Sequence, residues 1–245
     1  MLTLSLLLFS CISAPIAPSD ATTWQGWVYG DIPAENTPAL EVGSLTLSDL
    51  SGENIIEGEQ RDEQRLGYWT FEIDPDQEVS IRIAGPEHYP TIWRGRTPST
   101  NGFWYSGAIF GVATATFDAF LADLSLLLEA EAPLEAHEGV NLYGEPLPLS
   151  QADLDAWTDA TIRIYDGEGA IHEAISLVLD EETGGLALPG PEPAPTVAFV
   201  ATDLAPGPIA LVIDASDGRS MVVEYLAEAG DLLSAVAFTL PLEQR

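Results

Sequence analysis

Lysine is absent from the chain, and its eight basic residues, all arginine, face 39 aspartates and glutamates, a formal net charge of −31. A surface of that sign repels phosphate backbones, and no basic stripe offsets the repulsion, so no nucleic-acid partner is expected. Cysteine occurs once, at Cys11, which excludes an internal disulfide and a zinc site built on a cysteine pair. The three histidines, His88, His137 and His172, fall in separate segments without the i, i+4 spacing of a helical metal site. The sequence also lacks a G-x-S-x-G elbow and a phosphate-cradling glycine loop. Catalysis therefore has no motif to carry it, and the protein is expected not to be an enzyme. A secreted hydrolase is the weakest reading.

Hydrophobic residues make up 46% of the chain, too many for a wholly disordered protein. The 21 glycines and 18 prolines are spread along its length and punctuate many short elements, which favours strands and turns. At 245 residues there is room for one large domain or two modules. Self-repulsion weakens a compact state of this charge unless ions screen it, over a Debye length of roughly 8 Å at physiological salt. A saline or calcium-containing milieu is one expectation; the plainer one is that the acids keep an exported protein soluble.

Residues 2–9 form an apolar run too short to span a bilayer, and it leads into Leu8-Phe9-Ser10-Cys11. The segment resembles the lipobox of bacterial lipoproteins, in which a small residue precedes the cysteine that is lipidated. The resemblance implies a signal peptide over 1–10, lipidation at Cys11 and membrane attachment through the lipid. No Lys or Arg precedes the apolar run, which departs from the usual signal peptide. An ordinary secretory signal is the alternative, although Ala14, the small residue that would mark its cleavage, is followed by Pro15. By analogy with other lipoproteins, Ile12 after the cysteine, in place of Asp, implies the outer membrane. Residues 11–23 are small and proline-bearing and read as a tether.

Residues 24–96 carry a first globular stretch. Residues 26–30 (GWVYG) make a short strand, and residues 44–48, 68–73 and 79–83 alternate apolar and polar side chains with period two. One sheet face would then carry Trp69, Phe71, Ile73, Val79, Ile81 and Ile83, while Thr70, Glu72, Ser80 and Arg82 point to water. Residues 97–113 show no clear period. From Thr116 the apolar residues Phe117, Phe120, Leu121, Leu124, Leu127 and Leu128 recur at helical spacing, predicting an amphipathic helix with Thr116 as N-cap and Asp118 near the positive dipole end. Residues 97–138 thus form an irregular segment plus a linker helix. Residues 139–245 repeat the strand grammar, with candidates at 139–144, 161–165, 175–179, 196–201, 209–213 and 221–225 and a short helix capped by Ser150.

The succession GWVYG, GYWTFEIDP, VSIRI and HYPTIW resembles the carboxypeptidase regulatory-like domain, a small prealbumin-type β-sandwich. The segment 205–213, Ala-Pro-Gly followed by an apolar strand, is similar to that family's turn and outgoing strand. The resemblance implies a mainly β chain of two prealbumin-like or immunoglobulin-like sandwich modules joined by one amphipathic helix. It also implies a non-catalytic role in display, spacing or contact at the cell envelope. The partners that follow are the membrane through the lipid anchor and an envelope protein or glycan.

Two kinds of site remain. Hard cations want clustered oxygens on turns, and Asp214 with Asp217 or Asp166 with Glu168 offer them for calcium, against the plainer reading of solvated acidic turns. In GWVYG, Val28 faces the core, which sets Trp27 and Tyr29 together on the other face, where paired rings would stack on a sugar unless another segment covers them. A carbohydrate-binding module is accordingly the alternative to a structural or protein-interaction role.

Overall fold

The computed structural model describes residues 22–29, 44–48, 55–57, 59–60, 68–73, 78–85, 87–96, 104–105, 109–130, 134, 139–146, 148, 150–180 and 182–238, with backbone alone before residue 78 and at 96, 104–110 and 236–238. The first half holds β1 (Thr22–Tyr29), β2 (Ser44–Ser48), β3 (Ile55–Glu57), β4 (Glu59–Gln60), β5 (Tyr68–Ile73), β6 (Glu78–Gly85), β7 (His88–Arg96), β8 (Trp104–Tyr105), β9 (Ile109–Phe110) and β10 (Val112–Ala113), then helix α1 (Thr114–Leu127). The second half holds β11 (Val140–Pro146), α2 (Gln151–Ala156), β12 (Thr161–Tyr165), β13 (Ile171–Glu173), β14 (Ile175–Leu179), β15 (Leu186–Ala187), β16 (Ala198–Leu204), β17 (Gly207–Asp214), β18 (Ser220–Ala227) and β19 (Leu232–Phe238). The chain is mainly β, and β2, β5, β12 and β14 have the limits expected of them from the sequence.

Three sheets form. The smallest runs β13-β12-β17-β18, a second runs β4-β5-β1-β8 with β9 also on β1, and a ten-stranded sheet runs β15-β14-β16-β11-β19-β7-β6-β2-β3 with β10 beside β7. The large sheet crosses the boundary the sequence draws between residues 96 and 139. There β19 lies parallel to β7, with Leu232 opposite Thr91 and Leu233 opposite Ile92, and parallel to β11 on its other side.

The shared sheet face expected of β5 and β6 is not formed. β5 lies between β4 and β1, whereas β6 lies between β2 and β7. A strand has two edges, and both edges of β6 are occupied. Alternation itself holds on β6, where Val79, Ile81 and Ile83 are buried.

The large sheet is covered on both faces in the second half, which explains why residues 140–144 of β11 are all buried. On one side Leu142, Phe199 and Leu233 pack against Ile164, Ile209 and Leu211 of the four-stranded sheet, with Trp157 among them. Each such buried side chain contributes about 1.5–3 kcal/mol relative to exposure. Trp157 stacks on Phe199 with ring centroids 6.4 Å apart, and a Cβ at residue 144 would come 2.1 Å from Phe199 Cζ, so only glycine lets that ring lie on β11. On the other side Phe117, Leu121 and Leu124 of α1 pack on Tyr143, Leu177, Val200 and Leu232.

Helix α1 starts two residues before the expected cap. Ala113 occupies the N-cap without a side-chain hydrogen bond, and the Thr114 N–H donates 2.9 Å to the carbonyl of Glu87 in the β6–β7 turn. A tertiary carbonyl thus satisfies one orphan donor that a Thr116 cap was expected to address. Asp118 accepts from the Tyr89 hydroxyl at 2.7 Å. Burial and the Asp118 carboxylate push that phenol up to about 12. Helix α2 follows the sequence expectation: Ser150 Oγ accepts from the Asp153 N–H at 3.2 Å.

Candidate functional site

Cys11 lies outside the described residues. Trp27 and Tyr29 fall on β1, where Trp27 pairs with Tyr68 and Tyr29 lies beside Phe110; their side chains are outside the description. The carboxylates proposed for calcium are described, and the three aspartates among them take part in local structure. In the β17–β18 hairpin, Asp214 accepts from Ser220 Oγ at 2.7 Å and from Arg163 across the sheet. Asp217 accepts from the Arg219 N–H at 3.0 Å and from its Nε at 2.7 Å, while Arg219 Nη1 reaches Asp153 of α2 at 2.8 Å. The Ser220 hydroxyl, then Arg163, hold the Asp214 carboxyl below the usual carboxylate range, and the Arg219 N–H is the main cause for Asp217.

Asp166 is buried in the β12–β13 turn. It accepts from the N–H groups of Glu168 (3.1 Å), Ala170 (2.8 Å) and Ala205 (3.4 Å) and lies 2.8 Å from His172 Nε2. Burial opposes its charge, but His172 and these N–H groups outweigh it and the carboxyl titrates low. The Gly167 N–H donates to Ala205 at 3.0 Å, and a Cβ on residue 167 would come 1.9 Å from the Pro206 carbonyl oxygen. This cluster therefore clamps two turns together. Glu168, its expected co-ligand, is exposed. Among the described residues no group of three or more His, Cys, Asp or Glu is arranged to hold a metal ion.

Arg82, assigned to water by alternation, is half-buried and also reaches the β18–β19 turn. Its Nη1 and Nη2 reach Asp231 at 3.0 and 2.6 Å, and Glu228 lies 3.4 Å away. The Asp231 side chain is fully buried. Burial raises its pKa, offset in part by the Glu228 N–H and the arginine charge. No sequence signal marks this pair, because its members are 149 residues apart.

A cleft of about 380 Å³ lies along β7 and the β17–β18 hairpin, with Arg94, Tyr165, Ile209, Glu224, Tyr225 and Leu226 in its wall. Tyr165 is opposite Ala210, which is opposite Glu224, so ring and carboxylate share one sheet face. The Arg94 side chain is 7% exposed and donates to Glu78, while its Nη1 has no acceptor among the described residues. Burial pushes the Tyr225 phenol up, against the pull of the Arg94 charge. An aromatic face, a fixed guanidinium and a carboxylate suit a polyhydroxylated ligand. The sequence flagged none of these residues, since they come from four separate strands.

No protein-family model matches the chain, and no curated protein matches it. Among solved structures it is similar to the Bacillus anthracis TIE protein, at 11% identity and a TM-score of 0.29 over 89% of this chain and 33% of that one. It is also similar to GBS52, the minor pilin of the gram-positive pathogen Streptococcus agalactiae, at 9% identity and a TM-score of 0.23 over 91% and 98% of the two chains. Lac15 from a marine microbial metagenome aligns at 9% identity and a TM-score of 0.15, over 93% of this chain and 70% of that one. The chain spans about a third of the length of the first of these. Likenesses of this order fix neither a family nor a function.

Proposed function

We propose that the protein is a non-catalytic cell-envelope lipoprotein that works by contact, as a surface display, structural or protein-interaction module. The observation that supports this is the use of its charged groups: Asp166, Asp214, Asp231 and Arg219 are each engaged by another strand, turn or helix. Side chains committed in this way hold strands and turns together. In this reading residues 24–96 and 139–245 are two prealbumin-like or immunoglobulin-like sandwiches, α1 lies between them, and the β7–β19 seam joins them. Residues 1–10 are the signal peptide, and the stretch from Cys11 to the start of β1 at Thr22, two residues shorter than the 11–23 read from the sequence, tethers the modules to an outer membrane. Each buried acyl methylene would add on the order of 0.8 kcal/mol to attachment. Mass spectrometry of the mature amino terminus tests the anchor: a diacylglyceryl or triacyl adduct on Cys11 is expected, with loss of the membrane fraction in Cys11→Ser. An unmodified terminus beginning beyond Cys11 would leave a secreted protein.

The Tyr165–Arg94–Glu224 cleft favours a second reading, a carbohydrate-binding module of an extracellular assembly, to which Trp27 and Tyr29 would add a platform on β1. A glycan array supplies the test. A hit whose affinity falls in Tyr165→Ala or Trp27→Ala supports the reading, and a broad array without a hit removes it. Calcium at Asp214 and Asp217, or at Asp166 beside the exposed Glu168, would compete with the partners that the three aspartates now hold. A calcium titration at constant ionic strength that leaves the melting temperature flat excludes it.

A further inference from the structure

One group of exposed apolar side chains lies on α1 and on or beside the β14–β15 edge. Leu126 is 79% exposed, and Leu179, Leu186 and Leu188, on and beside β14 and β15, also stand in solvent. Between them runs a groove of about 490 Å³ walled by Phe120, Leu124, Leu126 and Leu127 of α1 and by Leu177 and Leu186 of the sheet. A helix residue that exposed contributes nothing to the core beneath it, where Phe117, Leu121 and Leu124 already fill the face that α1 turns to the sheet. Strand β15 is the last strand on that side of the sheet and pairs only with β14 among the described residues. Apolar groups in a concave site beside an open sheet edge are the surface type that protein segments dock on.

Charge selects the occupant. Asp123 lies in the groove wall, and none of the eight arginines falls at residues 97–162 or 164–218, the two stretches that build it. Among the described residues no arginine lines the groove, and the charged residue in its wall is an aspartate. A second copy at a net charge of −31 would bring like charges within the Debye length, about 8 Å at physiological salt, and an anionic lipid surface meets the same repulsion. We propose that the groove between α1 and the β14–β15 edge binds a cationic segment of another protein, with leucine- or phenylalanine-type anchors in the groove and Lys or Arg facing Asp123. The proposal goes beyond the envelope reading and does not depend on it, since docking here is indifferent to Cys11.

The test uses the full chain and a fluorescent Leu/Lys amphipathic peptide about four turns long, with two counterparts, one carrying Ser for Leu and one Glu for Lys. At physiological salt the Leu/Lys peptide binds and the Leu/Glu peptide does not. The Leu126→Ser/Leu186→Ser variant weakens the Leu/Lys peptide by about tenfold or more, as expected for the loss of central apolar anchors. Both residues are solvent-exposed, so the variant folds. The control Ile171→Ser/Val222→Ser, which removes exposed apolar groups outside the groove, leaves binding unchanged. Equal weakening by both variants, or equal binding of the Leu/Lys and Ser/Lys peptides, would mean adsorption of any polycation and overturns the proposal. So would a dimer of the free chain that the groove variant dissociates, or adsorption to anionic vesicles that it abolishes.

Discussion

Replacing Arg82 with alanine removes the partner of a carboxylate that has no solvent to turn to. Asp231 is fully buried, and without Arg82 its carboxylate keeps the backbone N–H of Glu228 as a donor, at 2.8 Å. Breaking a buried pair from the side that leaves the buried charge behind costs about 3–5 kcal/mol. Asp231→Asn is the milder change, because Arg82 is 34% exposed, reaches water and keeps Glu228 at 3.4 Å; its cost is about 1 kcal/mol. At roughly 2–4 °C per kcal/mol for a chain of this size, Arg82→Ala lowers the melting temperature by roughly 6 °C or more and Asp231→Asn by only a few degrees. The pH dependence has a definite sign. Burial raises the folded pKa of Asp231 above its unfolded value, so its contribution is fully present below the unfolded pKa and is lost as pH rises through the folded one. Without Arg82 the folded pKa rises further, and the deficit of Arg82→Ala therefore grows between about pH 4 and pH 7. Urea titrations at those two pH values measure it, with an unchanged m-value showing that compactness is retained. Equal costs for the two substitutions, or a deficit independent of pH, would refute the reasoning.

Asn141 is fully buried on β11 with neither amide atom hydrogen-bonded among the described residues, so Asn141→Leu is expected to stabilise the fold by about 1–2 kcal/mol. A lower melting temperature in that variant would mean that a bound water serves the amide. Asp166→Asn is expected to cost about 1–3 kcal/mol near neutral pH by weakening the clamp between two turns. Because the folded pKa of Asp166 is lowered, this difference is present above the unfolded carboxylate value and closes as pH falls through the folded one; thermal melts from about pH 7 down to pH 3 follow it. Sodium chloride is expected to raise the melting temperature as the Debye length shrinks from about 30 Å at 0.01 M to 3 Å at 1 M, since the chain carries a net charge of −31. A flat response would show that the acids are spaced widely enough not to oppose folding.

Elements whose signal is local were legible in the sequence. Period-two alternation locates β2 and β5, apolar runs before glycine-bearing turns locate β12 and β14, the Ser150 cap locates α2, and the apolar stripe locates the face that α1 buries. The charge that sets the salt response and selects among partners is likewise a property of composition. Strand β19 escaped because it sits between two parallel neighbours under cover on both faces, where Leu232, Leu233, Ser234 and Ala235 are all buried and no alternation survives. The clefts escaped because their walls are assembled from side chains on separate elements. Side-chain pattern determined which stretches are strand or helix and which face each one buries. Only the tertiary structure decided that β5 and β6 enter different sheets, that β19 joins β11 to β7, that Arg82 meets Asp231 and that a turn carbonyl caps α1. The reason is that strands choose neighbours through backbone N–H and C=O groups, which nearly every residue carries alike, so the pattern that marks a strand does not name its partner.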